Sequence, residues 1–266
     1  MHRLLVESAL IEEESPVLPA DAARHLKVLR PKDGEEIELF DGRGRWRVYR
    51  FCASLTSGKD SASPLCATSQ TSQTSQTSHT LTLFACITKG SRWDWTIEKA
   101  TELGVTRIVP VISERTIVRI PKAERAAKRE RWMRIAEDAA RQSDAKWLPE
   151  IREAVDFRDA LPFVRETTCF IGALTDPPPR PLIAAVAEEV KEQGEDEQRN
   201  GSESIARLGP SPSPLAVFIG PEGDFTPEEL QALMEIAVPT SFGPTILRAE
   251  TAAIYAVSVL AATLSA

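Results

Sequence analysis

The 266-residue chain has few of the side chains on which nucleophilic and metal chemistry usually depends. It contains four cysteines and three histidines. The cysteines form no CxxC pair, which argues against a zinc site or a disulfide framework and favours reduced thiols. None of the histidines lies beyond residue 79, so we expect no Ser-His-Asp triad and no metal site in the rest of the chain. The residues concerned are Cys52, Cys66, Cys86 and Cys169, and His2, His25 and His79.

Long apolar runs and familiar nucleotide motifs are also missing. No apolar stretch is long enough to span a bilayer. The start, MHRLLVESALIEEE, lacks the apolar segment and cleavage site of a signal peptide. These absences predict a cytoplasmic protein that does not use a membrane. Neither a G-x-G-x-x-G turn nor a G-x-x-x-x-G-K-[ST] loop occurs, so the common dinucleotide and triphosphate sites are not indicated.

The net charge of −7 argues against a uniformly basic nucleic-acid binder, but cations are locally concentrated. Such patches can contact phosphates even in an acidic protein. Charge runs more often mark solvated faces, and taken alone we favour that interpretation. One basic group is Arg119, Lys122, Arg125, Lys128, Arg129, Arg131 and Arg134, and the other is Arg24, Lys27, Arg30, Lys32, Arg43, Arg45, Arg47 and Arg50.

Two polar segments divide the chain. Residues 54–80 read SLTSGKDSASPLCATSQTSQTSQTSHT, and residues 191–214 are rich in Glu, Gly, Ser and Pro. Low-complexity composition of this kind cannot bury a core. We therefore expect a first domain over residues 1–80 that ends in a linker, and a second over residues 81–266 that carries a polar insertion.

The two domains differ in their predicted secondary structure. In the first, residues 37–40 and 46–51 flank the turn Asp41-Gly42-Arg43-Gly44, a hairpin pattern that follows a short helix at 21–29. In the second, strands alternate with helices, which predicts an α/β fold with a mostly parallel sheet. Thr226 and Glu229 form a capping-box pattern at the start of one helix. The strands are predicted at 81–87, 107–112, 169–174 and 215–219, and further helices at 92–103, 122–143, 181–190 and 249–264.

Three loops with glycine or small residues leave the predicted strands of the second domain. They cover residues 171–174, 219–223 and 242–250. Ligands in open α/β sheets bind beyond the carboxyl ends of the strands. Glycine permits backbone angles and close approaches that other residues do not, so these loops predict a pocket lined largely by main-chain atoms.

The loop FIGPEGDF (218–225) and the stretch FGPTILRAETA (242–252) together resemble the SPOUT methyltransferases. Within them, the sequence is similar to the ribosomal RNA small subunit methyltransferase E family, which methylates N3 of a uridine in 16S rRNA. Further matches follow in order along the chain, outside the two polar segments. They include HLKVLR (25–30), LFDG (39–42), KG (89–90), EKATELGV (98–105) and SER (113–115).

The resemblance implies a deep trefoil knot in the C-terminal domain, preceded by a small PUA-like β-barrel that binds RNA. It places the last strand of that barrel within residues 54–80, where Leu65-Cys66-Ala67 is the candidate remnant of the strand. It implies a homodimer acting on the 16S rRNA of the 30S subunit. It also implies that the knot loops bind S-adenosylmethionine as the methyl donor, without a metal. The positions expected to bind this cofactor are Leu174, Ile219, Gly220, Pro221, Glu222, Gly223, Phe242, Gly243, Ile246, Leu247 and Thr251.

Arg248 and Glu250 are the candidate catalytic residues. N3 of uracil carries a proton, so methylation requires a group that removes it or stabilises the resulting anion. An arginine stabilises a developing oxyanion, and a glutamate accepts the proton or orients the arginine. A structural ion pair or a helix cap is the alternative role for both. The expected RNA contacts are Arg24, Lys27, Arg30, Arg43, Lys89, Arg115 and Gln142, where structural salt bridges are the alternative.

Several positions depart from the family pattern. Asp224 stands where the family has a second glycine, and Thr245 where it has an arginine. The segment Arg141-Gln142-Ser143-Asp144-Ala145 lacks a glutamate and an arginine, although Lys146 is adjacent and is a candidate substitute. Two alternatives to an rRNA uridine-N3 methyltransferase therefore stay open. One is a catalytically impaired RNA-binding protein in ribosome assembly, and the other a SPOUT enzyme that acts on another RNA or on a 2′-hydroxyl.

Overall fold

The computed structural model describes residues 1–53, 64–74, 80–173, 177–199 and 214–264. Two compact units are present. The first comprises Met1–Gln76 together with Glu137–Leu148, and the second Thr77–Ala136 together with Pro149–Ala266. The division predicted at residue 80 places 137–148 in the second domain, so the two divisions differ in that segment.

The first unit is built on a five-stranded sheet. Its strands run in the order β1-β2-β3-β4, and β5 also pairs with β3. The predicted hairpin is confirmed, since β2 and β3 are antiparallel with Phe40 opposite Trp46. The elements are β1 (His2–Leu5), α1 (Ser8–Ile11), α2 (Ala20–Leu29), β2 (Glu36–Phe40), β3 (Arg45–Phe51), β4 (Leu65–Ala67) and β5 (Ser72–Gln73).

Strand β4 confirms the expected remnant of the barrel's last strand at Leu65-Cys66-Ala67, and β4 and β5 together correct the prediction that low-complexity composition keeps residues 54–80 out of a core. Leu65 is fully buried in the apolar cluster of this unit. Antiparallel pairing with β3 supplies backbone hydrogen bonds whatever the composition of the added strand, and one apolar side chain then suffices to join the core. Residues 54–63 and 75–79 lie outside the described part of the chain.

A buried ion cluster holds residues 137–148 in the first unit. Arg3 donates from Nε to Glu38 Oε1 at 2.8 Å and from Nη1 to the carbonyl of Ala140 at 2.6 Å. Lys146 Nζ lies 2.6 Å from both carboxylate oxygens of Glu38, which is 1% exposed. A carboxylate so deeply buried requires its cationic partners. Lys146 therefore has a structural role in this cluster.

The second unit contains a seven-stranded sheet in the order β12-β10-β11-β6-β7-β8, with β9 also paired to β7. All of these pairs are parallel, as predicted. The strands are β6 (Leu81–Cys86), β7 (Arg107–Ile112), β8 (Glu150–Ile151), β9 (Val155–Asp156), β10 (Thr168–Gly172), β11 (Leu215–Ile219) and β12 (Val238–Thr240). The helices are α3 (Ser91–Glu102), α4 (Lys122–Gln142), α5 (Phe157–Val164), α6 (Leu182–Arg199), α7 (Pro227–Met234) and α8 (Ala249–Leu264).

Both faces of this sheet are buried, which explains why β6 and β11 are apolar at nearly every position. Leu83 and Val217 belong to one apolar cluster together with residues of α3 and α8. Phe84 and Phe218 belong to a second cluster with α5 and α7, and their rings stack at 5.6 Å. The predicted capping box is confirmed, because Thr226 Oγ1 accepts from the backbone N–H of Glu229 and the Glu229 carboxylate accepts from that of Thr226.

Two predicted boundaries were wrong. Strand β10 ends at Gly172 and does not reach residue 174. Helix α6 continues to Arg199, well into the predicted insertion, because Glu, Gln and Lys have a high propensity for helices. Among the described residues, no helix is both long and apolar enough to cross a membrane.

Candidate active site

Three loops follow neighbouring parallel strands in the second unit. Strands β12, β10 and β11 are adjacent and point the same way, so Thr240, Gly172 and Ile219 end along one edge of the sheet. A Cβ on Gly172 would lie 2.8 Å from the ring of Phe242, which shows that the end of β10 touches the loop after β12. The structure therefore brings together the predicted pocket loops, except that Leu174 lies outside the described residues.

Contacts from within the unit hold the loop after β11. Arg115 Nη1 donates to the carbonyls of Gly223 and Phe225, at 3.1 and 3.2 Å. A Cβ on Gly220 would lie 3.0 Å from the Phe225 ring, so a larger residue at this position would crowd that ring inside the chain. Pro221 is buried and Glu222 is exposed. Arg115, an expected RNA contact, thus shapes the backbone of the GPEG loop.

Asp224 adopts backbone angles that favour glycine. Its φ is +61°, in the left-handed region, and Asp144 has the same φ. Asp224 stands where the family resemblance places a second glycine. Asp224 Oδ1 accepts a hydrogen bond from the N–H of Phe225 at 2.8 Å, a local bond that offsets part of the strain. This departure therefore preserves the backbone path that glycine would take.

The loop after β12 presents an open apolar surface. Ile246 is 81% exposed, and Phe242 and Leu247 are half-buried. Gly243 has a φ of +121°, and nothing lies within 4 Å of the position that its Cβ would take. Thr251, in the first turn of α8, is exposed. Apolar side chains and an unobstructed glycine backbone are suited to a flat, partly apolar ligand.

Arg92, which the sequence analysis did not single out, lies between two carboxylates at this edge. Its Nε is 3.6 Å from Glu250 Oε1, and its Nη1 is 3.7 Å from Glu222 Oε1. The backbone N–H of Lys89 also donates to Glu222 Oε1, at 3.4 Å. Arg92 and Glu250 are far apart in sequence, and no local pattern signals their contact.

Glu250 and Arg248 have opposite environments. The Glu250 side chain is 12% exposed, and its Oε2 is buried with no hydrogen-bond partner among the described residues. Arg248 is exposed and forms no ion pair with any residue that the structure describes. A buried acceptor oxygen left without a donor is costly to fold, and such atoms are often explained by a group that binds there. Among the described residues, one arginine and one carboxylate oxygen therefore remain available at this edge of the sheet.

The residues expected to contact RNA are mostly exposed, and they differ in whether their side chains bond to other residues of the protein. Arg24, Lys27, Arg30 and Arg43 are exposed, and their side chains make no bond to the rest of the described chain. Lys89 and Gln142 are also exposed. Gln142 lines an open cavity of about 470 Å³ in the first unit, beside His2, His25 and Arg141.

Most of the basic stretch 119–134 is engaged within the protein, in agreement with the structural interpretation. Arg125 Nη2 donates to Asp156 at 2.6 Å, and Arg129 Nε donates to the carbonyl of Ile151 at 2.7 Å. Arg119 bonds two backbone carbonyls, and Arg131 pairs with Asp94. What remains without a bond to a described residue is Lys122, Lys128 and Arg134.

Comparison with protein families matches residues 75–261 to the RNA methyltransferase domain and residues 18–51 to the RNA methyltransferase PUA domain. The Bacillus subtilis protein named ribosomal RNA small subunit methyltransferase E is 32% identical over 173 residues, which cover 65% of this chain and 61% of that protein. The protein of the same name from Rickettsia conorii is 29% identical over 264 residues, or 97% of this chain and 93% of that one.

A solved structure shares the fold. The methyltransferase E of Neisseria gonorrhoeae, determined bound to S-adenosyl methionine, superposes with a TM-score of 0.72 at 29% identity, covering 97% of this chain and 95% of that one. The first unit thus carries the PUA-type module and the second the methyltransferase module. On this evidence of sequence and fold, the chain belongs to the ribosomal RNA small subunit methyltransferase E family.

Proposed function

We propose that this protein transfers a methyl group from S-adenosylmethionine to N3 of one uridine in 16S rRNA. The observation that carries the proposal is the edge formed by the ends of β10, β11 and β12, where an open loop meets an unengaged arginine and a carboxylate with a free oxygen. Membership of the family supplies the class of reaction, and the relative from Neisseria gonorrhoeae supports the cofactor.

The residues at this edge fit the cofactor. Phe242, Ile246 and Leu247 offer apolar surface to its adenine, and the backbone around Gly243 is open. The carboxylates of Glu222 and Glu250 are the anionic groups at this edge that would attract a positively charged sulfonium, in competition with the cations Arg92 and Arg248. When bound, the cofactor supplies an electrophilic methyl group.

Arg248 and Glu250 would act on the uracil. Deprotonation of N3 places negative charge on the ring oxygens, and an arginine stabilises that charge without losing its own proton. The Oε2 of Glu250 accepts the N3 proton or, alternatively, orients Arg248. Arg92, beside Oε1 of the same carboxylate, is a positioning residue that fixes which oxygen is left free.

RNA binding is assigned to the exposed cations of the first unit. Arg24, Lys27, Arg30 and Arg43 are free to contact phosphates, which position an RNA without reading its sequence. The proposed substrate is the assembled 30S particle in the cytoplasm. We also propose the trefoil knot and a homodimer, for which the half-buried side chains Ile254, Tyr255 and Val259 on α8 are the candidate contact face.

One observation favours the catalytically impaired alternative. Ala145 replaces a family arginine, and Lys146 cannot stand in for it, because its amine is bound to the buried Glu38. Thr245, at the other lost arginine position, is exposed. If either lost group is essential, the protein binds RNA and cofactor but does not transfer the methyl.

The test is to incubate the protein with labelled S-adenosylmethionine and 30S subunits that lack the modification, and to identify the labelled nucleoside by mass spectrometry. The proposal predicts 3-methyluridine. Cofactor binding by calorimetry without transfer would instead support the impaired RNA-binding protein. Transfer of the methyl group to another nucleoside would support the alternative of a SPOUT enzyme with a different RNA target.

A further inference from the structure

Cys52 and Cys66 form a thiol pair in the first unit. Their Sγ atoms lie 3.7 Å apart. Cys52 follows the end of β3, and Cys66 lies in β4 opposite Arg50. Side chains alternate along a strand, so Cys52 projects to the same face as Arg50 and therefore to the face of Cys66. The N–H of Cys52 donates to the carbonyl of Pro64 at 2.7 Å, which keeps the two strands in register at this point.

We propose that Cys52 and Cys66 form a reversible intramolecular disulfide, and that this pair is a redox modification site of the protein. A disulfide needs its two sulfurs about 2 Å apart, and Cys52 lies diagonally across from Cys66, so closing the bond requires the end of β3 to move as well as side-chain rotation. Both side chains are partly exposed, so a small oxidant can reach them.

The other two cysteines are protected, which makes the pair selective. Cys86 is buried in the second unit and donates a hydrogen bond to Ser113 Oγ at 3.5 Å. Burial raises the pKa of its thiol to about 12, so it carries almost no thiolate at neutral pH. Burial also raises the pKa of Cys169. Cys52 has a raised pKa as well, caused first by its hydrogen bond with Cys66, which predicts slow rather than absent oxidation.

The oxidant proposed is a low-molecular-weight disulfide such as glutathione disulfide. The thiolate of one cysteine attacks a sulfur of the oxidant, which forms a mixed disulfide and releases one thiol. The second cysteine loses its proton to solvent and attacks the protein sulfur of that mixed disulfide, which releases the second thiol. Two protein S–H bonds are lost, one S–S bond forms and the oxidant takes up the two electrons.

The new bond would close the connection between β3 and β4. Cross-linking residues at the two ends of a connection removes freedom from the unfolded chain. The bond would close a loop between residues 52 and 66. For a loop of this length we expect the midpoint temperature of thermal unfolding to rise by roughly 5–10 °C on oxidation. Strand β3 also carries the basic residues Arg45 and Arg50. The bond would therefore restrict the movement of these two side chains' strand in the first unit.

The experiment uses the full chain incubated with glutathione disulfide, followed by intact mass, thiol counting, peptide mapping and thermal unfolding. Wild type is expected to lose two thiols without a glutathione adduct, to yield a Cys52–Cys66 peptide, and to return to the dithiol with dithiothreitol. Cys52→Ser and Cys66→Ser are expected to retain one glutathione each and to show no rise in the midpoint.

Three results would overturn the proposal. The first is a lasting glutathione adduct on wild type, because a neighbouring thiol should displace it. The second is a disulfide that involves Cys86 or Cys169 or that links two chains. The third is no loss of thiols in excess oxidant while a denatured sample of the same protein is oxidised.

Discussion

At the scale of single residues, the structure separates side chains that serve the fold from those left available for chemistry. Arg3, Arg47 and Lys146 are committed to carboxylates or carbonyls. Arg248 is exposed, with no ion pair to a described residue, and the Oε2 of Glu250 has no described partner. Sequence motifs singled out both of the latter, but only the structure shows that they are unengaged.

Arg248→Ala is expected to lower kcat by about 100-fold while cofactor affinity changes little, because the guanidinium acts on charge that develops on the uracil. Single-turnover methyl transfer and calorimetry measure the two quantities. Lys122→Ala is the matched control, since Lys122 is an exposed cation without a described partner. An unchanged rate for Arg248→Ala would remove this residue from the mechanism.

Asp224→Gly is expected to stabilise the protein by about 1 kcal/mol, because glycine adopts the φ of +61° without steric strain. Asp224→Ala is expected to destabilise it, since alanine keeps the strain and loses the bond to the N–H of Phe225. Urea or thermal unfolding measures both changes. If the Asp224→Gly variant proves less stable than the wild type, the hydrogen bond of Asp224 outweighs the backbone strain. The claim that Asp224 occupies a position that favours glycine would then be contradicted.

At the scale of elements, the sequence predicted those features that depend on residues close together in the chain, such as a helix cap or a tight turn. The capping box of α7 needs only Thr226 and Glu229, and the hairpin needs only the turn between β2 and β3. Strand β4 was located at Leu65-Cys66-Ala67 only through the family resemblance, because its pairing depends on β3 and not on its own composition. Arg92 was missed, since folding alone brings it to Glu250.

The Arg115 contact is the element-scale feature most open to test. Its guanidinium bonds the carbonyls of Gly223 and Phe225, so Arg115→Ala should loosen the loop after β11. We expect the KM for the cofactor to rise about 10-fold with a smaller change in kcat. Lys128→Ala serves as the control. A loss confined to RNA binding would show instead that Arg115 acts as an RNA contact.

At the scale of the whole molecule, the family resemblance carried most of the correct prediction. It implied a PUA-like module followed by a methyltransferase module, which the family matches and the shared fold confirm, whereas the alternation of strands and helices predicted the parallel sheet. It did not reveal that residues 137–148 belong to the first unit, because that depends on the buried cluster around Glu38. The cofactor and RNA contacts expected at individual residues stay predictions.

The exposed cations of the first unit predict a salt-dependent affinity for RNA. Changing Arg24, Lys27 and Arg30 together to Gln should reduce the slope of log K against log salt by about 2, as expected when two or three phosphate contacts are lost. The matched control changes Lys122, Lys128 and Arg134, which have the same charge and exposure in the second unit. Equal losses from both sets would indicate general charge attraction and contradict the assignment.

The most direct test of the account is to locate the methyl group on the RNA. A methyl group on N3 of uridine blocks the pairing edge, so it stops reverse transcription, whereas a 2′-O-methyl group leaves that edge free. After 30S subunits react with the protein and S-adenosylmethionine, primer extension along 16S rRNA should show one new stop next to a uridine, and at the same short reaction time that stop should be far weaker with Arg248→Ala. Methyl transfer without a stop, or a stop at another base, would contradict the account.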